Sequence, residues 1–146
     1  INKDGSPAIH PHDDFVCTDY PVFRLADAYL MYAEAVKRGG GGSESKALQL
    51  VNQIRTRAYG GDPIGNITAG ELTLDFILDE RARELYWEGH RRTDLIRYDR
   101  FTTGSYLWPW KGNTPEGRAV GSHRNIYPIP AAEMSANLNL QQNTGY

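Results

Sequence analysis

The stretch LDFILDERARELYWEGHRRTDLIRYDRF, Leu74 to Phe101, decides the fold of this chain. At about 100° per residue, Leu74, Ile77, Leu78, Ala82 and Leu85 share one helical face. Arg81 and Glu88 fall on that same face, and Glu84 borders it. Charge inside an apolar stripe is costly unless it is paired. The pattern therefore demands a specific ionic arrangement. Thr73 is the expected cap, Gly89 the expected interruption, and a short further helix is expected over about Arg92 to Tyr98. Asp94 is placed to pair with Arg91 and Arg97 at i−3 and i+3. Arg81, Glu84, Glu88, Arg91, Asp94 and Arg97 read as structural ion pairs that lock a helix junction.

Upstream, Val22 to Arg38 predicts a helix with Val22, Leu25, Ala26, Tyr29, Ala33 and Val36 in one stripe and Pro21 at its first turn. Phe23, Ala28, Leu30, Tyr32 and Ala35 fill much of the remaining surface, which implies neighbours on more than one side. Gly39 to Gly42 is a reversal; it lacks the GxxxxGK[ST] spacing of a phosphate loop. Ser43 is the expected N-cap of a second helix, which ends near Tyr59 before Gly60 and Gly61. Its stripe is Ala47, Leu50, Val51, Ile54 and Ala58. Small residues (Ala28, Ala33, Ala35, Ala47, Ala58) suggest close contact of the two helices, in the manner of a tetratricopeptide pair.

The expected architecture is mainly α. It has a tetratricopeptide-like helical hairpin plus further helices, with long irregular loops and an extended C-terminal tail. Its parts are a lead-in loop over 1–20, the hairpin over 22–59, helix-Gly-helix over 73–98, and loop and tail over 102–146. Within the last part, Ile126 to Pro130 is extended by its prolines, and Ala131 to Ser135 forms a single turn. A chain of 146 residues is long enough for one domain with its own core.

The net charge of −2, without a basic tract, argues against nucleic acid as a partner. No apolar run reaches the length of a membrane span. Cys17 is the one cysteine, so no internal disulfide forms and the thiol reads as a small structural residue. His10, His12, Asp13 and Asp14 are chemically able to bind metal, but HPHDD reads as a solvated loop, and no metal or cofactor is expected.

Glu80, Glu84 and Glu88 repeat at i, i+4 and i+8, the kind of count that suggests acid-base work on a glycoside. Arg81 and Arg83 lie among them, and arginine pairing favours the ionised form, so structural pairing is the better reading. Arg91, Arg92, Asp94 and Arg97 admit a phosphate site or a junction lock by the same reasoning. Tyr106, Trp108 and Trp110 lie in one loop with Pro109. Aromatic faces on a rigid loop hold sugar rings, or they pack the loop onto the helices. Both readings stand at this point.

Taken together, RLADAYLMYAEAVKR (Arg24 to Arg38), VNQIRTRA (Val51 to Ala58), ILDERARELYWEGHRRTDLIRYDRF (Ile77 to Phe101), IYPIPAAEM (Ile126 to Met134) and NLNLQQNTGY (Asn137 to Tyr146) resemble the C-terminal part of SusD/RagB proteins. These are the surface glycan-binding lipoproteins of Bacteroidetes. Leu138 and Thr144 replace prolines common in that family's last motif. The resemblance implies a non-enzyme that binds oligosaccharide or polysaccharide at the cell surface. It further implies docking on a TonB-dependent outer-membrane transporter of the SusC type. An alternative is a helical scaffold whose main role is that docking. The resemblance also implies a longer protein, with its signal peptide, lipid anchor and most repeat helices outside this chain. Cys17 stands outside a lipobox-like context and is not taken as the anchor. No glycan-contacting residue transfers by motif, so Tyr106, Trp108 and Trp110 remain candidates from the residues alone.

Overall fold

The computed structural model describes residues 20–146. The lead-in residues 1–19, with Cys17 and the HPHDD stretch, lie outside the described residues. Five helices make the frame: α1 (Leu25–Lys37), α2 (Glu44–Ala58), α3 (Leu74–Glu84), α4 (Arg91–Arg97) and α5 (Ala131–Ala136). Single 3-10 turns occur at Pro63–Gly65, Lys111–Asn113 and Ser122–Asn125. The chain is all-helical among the described residues.

Local chemistry explains most of the boundaries. The Ser43 side chain accepts from the Lys46 N–H, and the Thr73 side chain accepts from the Phe76 N–H. Each cap satisfies an N–H that has no partner within the helix. Between α1 and α2, Gly42 has φ +93, and a Cβ there would stand 2.9 Å from the Tyr32 hydroxyl. That hydroxyl instead accepts from the Ser43 N–H at 3.0 Å. The turn thus needs glycine both for its backbone and for its space.

Leu30 and Ala33 of α1, Ala47, Val51 and Ile54 of α2, Leu72, and Ile77 of α3 form the core cluster. This corrects the expected α1 stripe. Leu30 is fully buried, whereas Val22 and Leu25 are exposed. The cause is the position of Arg24. Its backbone is extended (φ −128, ψ 151) and its guanidinium reaches across to α3, so the helix begins at Leu25 and Pro21 precedes it. Of the five alanines expected between α1 and α2, Ala33 and Ala47 are buried, while Ala28, Ala35 and Ala58 face solvent.

The ion pairs form three groups. In the first, Arg81 lies between Asp27 of α1 at 2.7 Å and Asp94 of α4 at 2.8 Å, with all three side chains buried. Asp94 also accepts from Arg97, and Arg97 and Arg38 both donate to Glu34. In the second, Arg24 holds Glu88 at 2.7 Å and Glu84 at 2.8 Å, and Arg57 reaches Glu84 from α2. In the third, Glu80 takes Arg55 and Arg83. Burial pushes up the Glu34 carboxyl, but hydrogen bonds from Arg97 and Arg38 outweigh it and hold the group below its ordinary value.

Two expectations for the Leu74–Phe101 segment are corrected here. The helix does not run to Gly89. It ends at Glu84, because Arg24 donates to the Glu84 carbonyl at 2.6 Å and Trp87 turns the chain with φ 66. A guanidinium replaces the next helical turn as partner of a terminal carbonyl. Glu88 therefore reaches Arg24 from a turn. Asp94 pairs with Arg97 but not with Arg91. Arg91 points the other way, donating to the Leu78 carbonyl at 3.0 Å and to the Tyr106 hydroxyl at 2.6 Å.

The tail returns along the extended segment Ile126–Pro130. The Gln142 side chain accepts from the Ile129 N–H at 2.8 Å and donates to the Ile129 carbonyl at 2.9 Å. Asn143 donates to the Tyr127 carbonyl, and the Tyr146 hydroxyl donates to the Ile126 carbonyl.

Candidate functional site

The loop after α4 is built around one buried cation. Lys111 is 3 % exposed, and its ammonium donates to the carbonyls of Arg100, Thr103 and Tyr106 at 3.0, 2.6 and 2.7 Å. Burial lowers the pKa of this ammonium. It also stands 4.5 Å from the centre of the Trp108 ring. Three carbonyls brought to one point fix the path of 100–106 and set Trp108 against it. Backbone bonds from Arg118 N to Lys111 O and from Val120 N to Thr102 O, at 3.0 and 2.9 Å, close the loop. No sequence pattern singled out Lys111, because a lone lysine between Trp110 and Gly112 carries no periodic signal.

Tyr106 and Trp108 come together, with ring centres 6.4 Å apart. Phe101, which sequence reasoning missed, stacks on Trp108 at 6.4 Å and 25°. The Tyr106 hydroxyl accepts from Arg91 and donates to Asp79 at 3.2 Å, so it fixes the loop to α3 and α4. Trp110 lies elsewhere: it is 66 % exposed, with φ 69, and lines neither of the cavities beside Trp108. The three candidate aromatics thus divide into a half-buried pair and a separate exposed ring.

Trp108 and Phe101 form the wall between two open cavities. One, of about 650 Å³, is lined further by Arg118, His123 and Arg124. The other, of about 360 Å³, is lined by Arg91, Arg92, Leu95 and Tyr106. The Arg92 guanidinium stacks on Phe101 at 5.1 Å and on Tyr127 at 3.9 Å. A flat aromatic wall beside polar hydrogen-bond donors suits a ring with one apolar face and equatorial hydroxyls.

The carboxylates considered for catalysis are all engaged. Glu80, Glu84 and Glu88 each contact arginine. Among the described residues no group of His, Cys, Asp and Glu is placed to hold a metal, and no helix is long and apolar enough to cross a membrane.

A helical frame locked by buried ion pairs presents an aromatic loop beside open cavities. The chain belongs to the SusD family, whose model matches residues 14–146. It is 44% identical over 144 residues to starch-binding protein SusD of Bacteroides thetaiotaomicron, an alignment covering 99% of this chain and 24% of that protein. Surface glycan-binding protein A from Bacteroides thetaiotaomicron superposes with a TM-score of 0.67 at 31% identity, covering 84% of this chain and 24% of that one. The same protein in complex with laminarihexaose gives a TM-score of 0.61 at 32% identity, with the same coverages of 84% and 24%. The chain therefore spans about a quarter of the length of these relatives.

Proposed function

We propose that this protein binds an oligosaccharide or polysaccharide without cleaving it, at the outer surface of the cell. The bound glycan would then pass inward through a TonB-dependent outer-membrane transporter. Family membership and the names of its relatives, one starch-binding and one glycan-binding, support the reading. Surface exposure through a lipid anchor is part of the same proposal. The observation within this chain that carries it is the Trp108–Phe101 wall, held by the Lys111 cage and flanked by open cavities. Aromatic rings half open to water on an immobilised loop offer sugar rings a preorganised surface.

Calorimetry of the full-length protein against a panel of host and plant glycans tests this. Trp108→Ala is expected to weaken binding roughly two- to twelvefold, since packing against an aromatic face is worth about 0.5–1.5 kcal/mol. Absence of binding across the panel would refute the reading.

A second reading has its own observation. Tyr20, Val22, Phe23, Leu25, Tyr86 and Trp87 are large, exposed apolar residues near the start of α1 and the end of α3. A surface of this kind fits a protein partner, which makes the domain a docking scaffold for the transporter. Co-purification with a porin-like partner that survives Trp108→Ala with Trp110→Ala, in the absence of any glycan affinity, would favour it.

A further inference from the structure

The chain holds twelve arginines, all among the described residues. Nine of them contact a carboxylate within 4.0 Å. The three that meet none among the described residues are Arg92, Arg118 and Arg124. They are not scattered. Arg118 and Arg124 line the larger cavity, Arg92 lines the smaller, and the Trp108–Phe101 wall separates them. Arg92 also donates to the Arg124 carbonyl at 2.8 Å, which ties the group together.

The acids are missing from the lining as well as from the pairs. Neither cavity is lined by an aspartate or a glutamate. Residues 101–127 carry the cations Lys111, Arg118 and Arg124 against the single acid Glu116, in a chain of net charge −2. Lys111 is occupied by three carbonyls. His123 packs edge-on against Tyr146 at 4.9 Å. Arg118 uses only its Nε, on the Gly112 carbonyl at 3.0 Å, so its two terminal nitrogens remain free among the described residues.

From this juxtaposition of unpaired arginines with an aromatic wall, we infer that the larger cavity takes a saccharide bearing an anionic substituent, a carboxylate or a sulfate. Arg118 and Arg124 meet the anion while Trp108 and Phe101 meet the ring. The inference rests on the glycan-binding reading above and narrows its ligand class. A planar guanidinium matches the two oxygens of a carboxylate or sulfate, and the open cavity lets both arginines reach it. A neutral glycan would occupy the wall and leave the arginines without a counter-charge.

The test is calorimetry of the full-length protein with two matched pairs: an oligogalacturonate and its methyl ester, and a sulfated galactan oligosaccharide and its desulfated, neutral form. The acidic member of one pair is expected to bind roughly tenfold more tightly, with the preference shrinking as salt rises from about 0.05 M to about 0.5 M. Which pair responds tells carboxylate from sulfate. Arg118→Gln with Arg124→Gln should abolish the preference, and Arg118→Lys with Arg124→Lys should keep most of it, which separates charge from a folding defect. Acidic and neutral members binding equally at a Trp108-dependent site would overturn the anion inference and leave the glycan reading standing. An acidic preference untouched by the glutamine pair would overturn it too. No affinity for any glycan would sink both.

Discussion

Arginine is used in opposite ways in the helical frame and around the aromatic loop that follows α4. Where α1, α3 and α4 meet, Arg81 and Arg97 are each shared between two carboxylates, and Arg24, just before α1, is likewise doubled. Around that loop, Arg92, Arg118 and Arg124 stand beside aromatic rings with no carboxylate in reach among the described residues. In the first region charge is buried and balanced, so it fixes angles between helices. In the second it is open and unbalanced, so it is available to something from outside. The positions of the acids, more than those of the arginines, separate frame from site.

The largest expected effect breaks the frame. Asp94→Ala leaves Arg81, 3 % exposed, and Arg97 each short of a partner, and should cost about 3–5 kcal/mol in urea unfolding. A loss under about 1 kcal/mol would erase the distinction between the two regions. Glu88→Ala should cost less, roughly 2–3 kcal/mol, because Arg24 is partly exposed and keeps Glu84.

Lys111→Met sharpens the comparison from the other side. It leaves three loop carbonyls without their donor, and should cost about 1–3 kcal/mol with faster amide exchange confined to the loop after α4. If exchange rises equally in α1 and α3, the loop is part of the frame. Acid acts on the frame through Glu34. Its folded carboxyl binds a proton less readily than in the unfolded chain, whose value is near 4.5. The stabilisation is complete above that pH and is lost as pH falls through the depressed folded value. Glu34→Gln should flatten that acid limb in a series of thermal melts. The smallest effect is at Trp110→Ala, where an exposed ring should change stability by less than about 0.5 kcal/mol.

Local signals in the sequence carried much of this fold. Ser43 and Thr73 announced their helices because a cap bonds within three residues. Arg81 announced its burial because helical periodicity put it among Ile77, Leu78 and Leu85. What was not legible depends on partners far along the chain. The end of α3 is set by Arg24, sixty residues earlier. Arg81 meets Asp27 on another helix, and Arg91 turns away from Asp94 to reach Tyr106. In the candidate site the aromatics were visible as residue types, but the part of Phe101 in the wall and the unpaired state of Arg92, Arg118 and Arg124 were not. Being unpaired is a property of the surroundings, which a linear sequence does not display.

The tail has one more consequence. Gln142 gives Ile129 both an acceptor and a donor, as a neighbouring strand would, but with side-chain atoms in place of a backbone. Alignment of the last residues is thus encoded by three or four individual side chains at fixed intervals. Such a clasp tolerates replacement of the residues between its teeth, as Thr144 illustrates. It does not tolerate a change of count. Inserting or deleting one residue between Asn143 and Tyr146 should unfasten the terminus while leaving every helix intact.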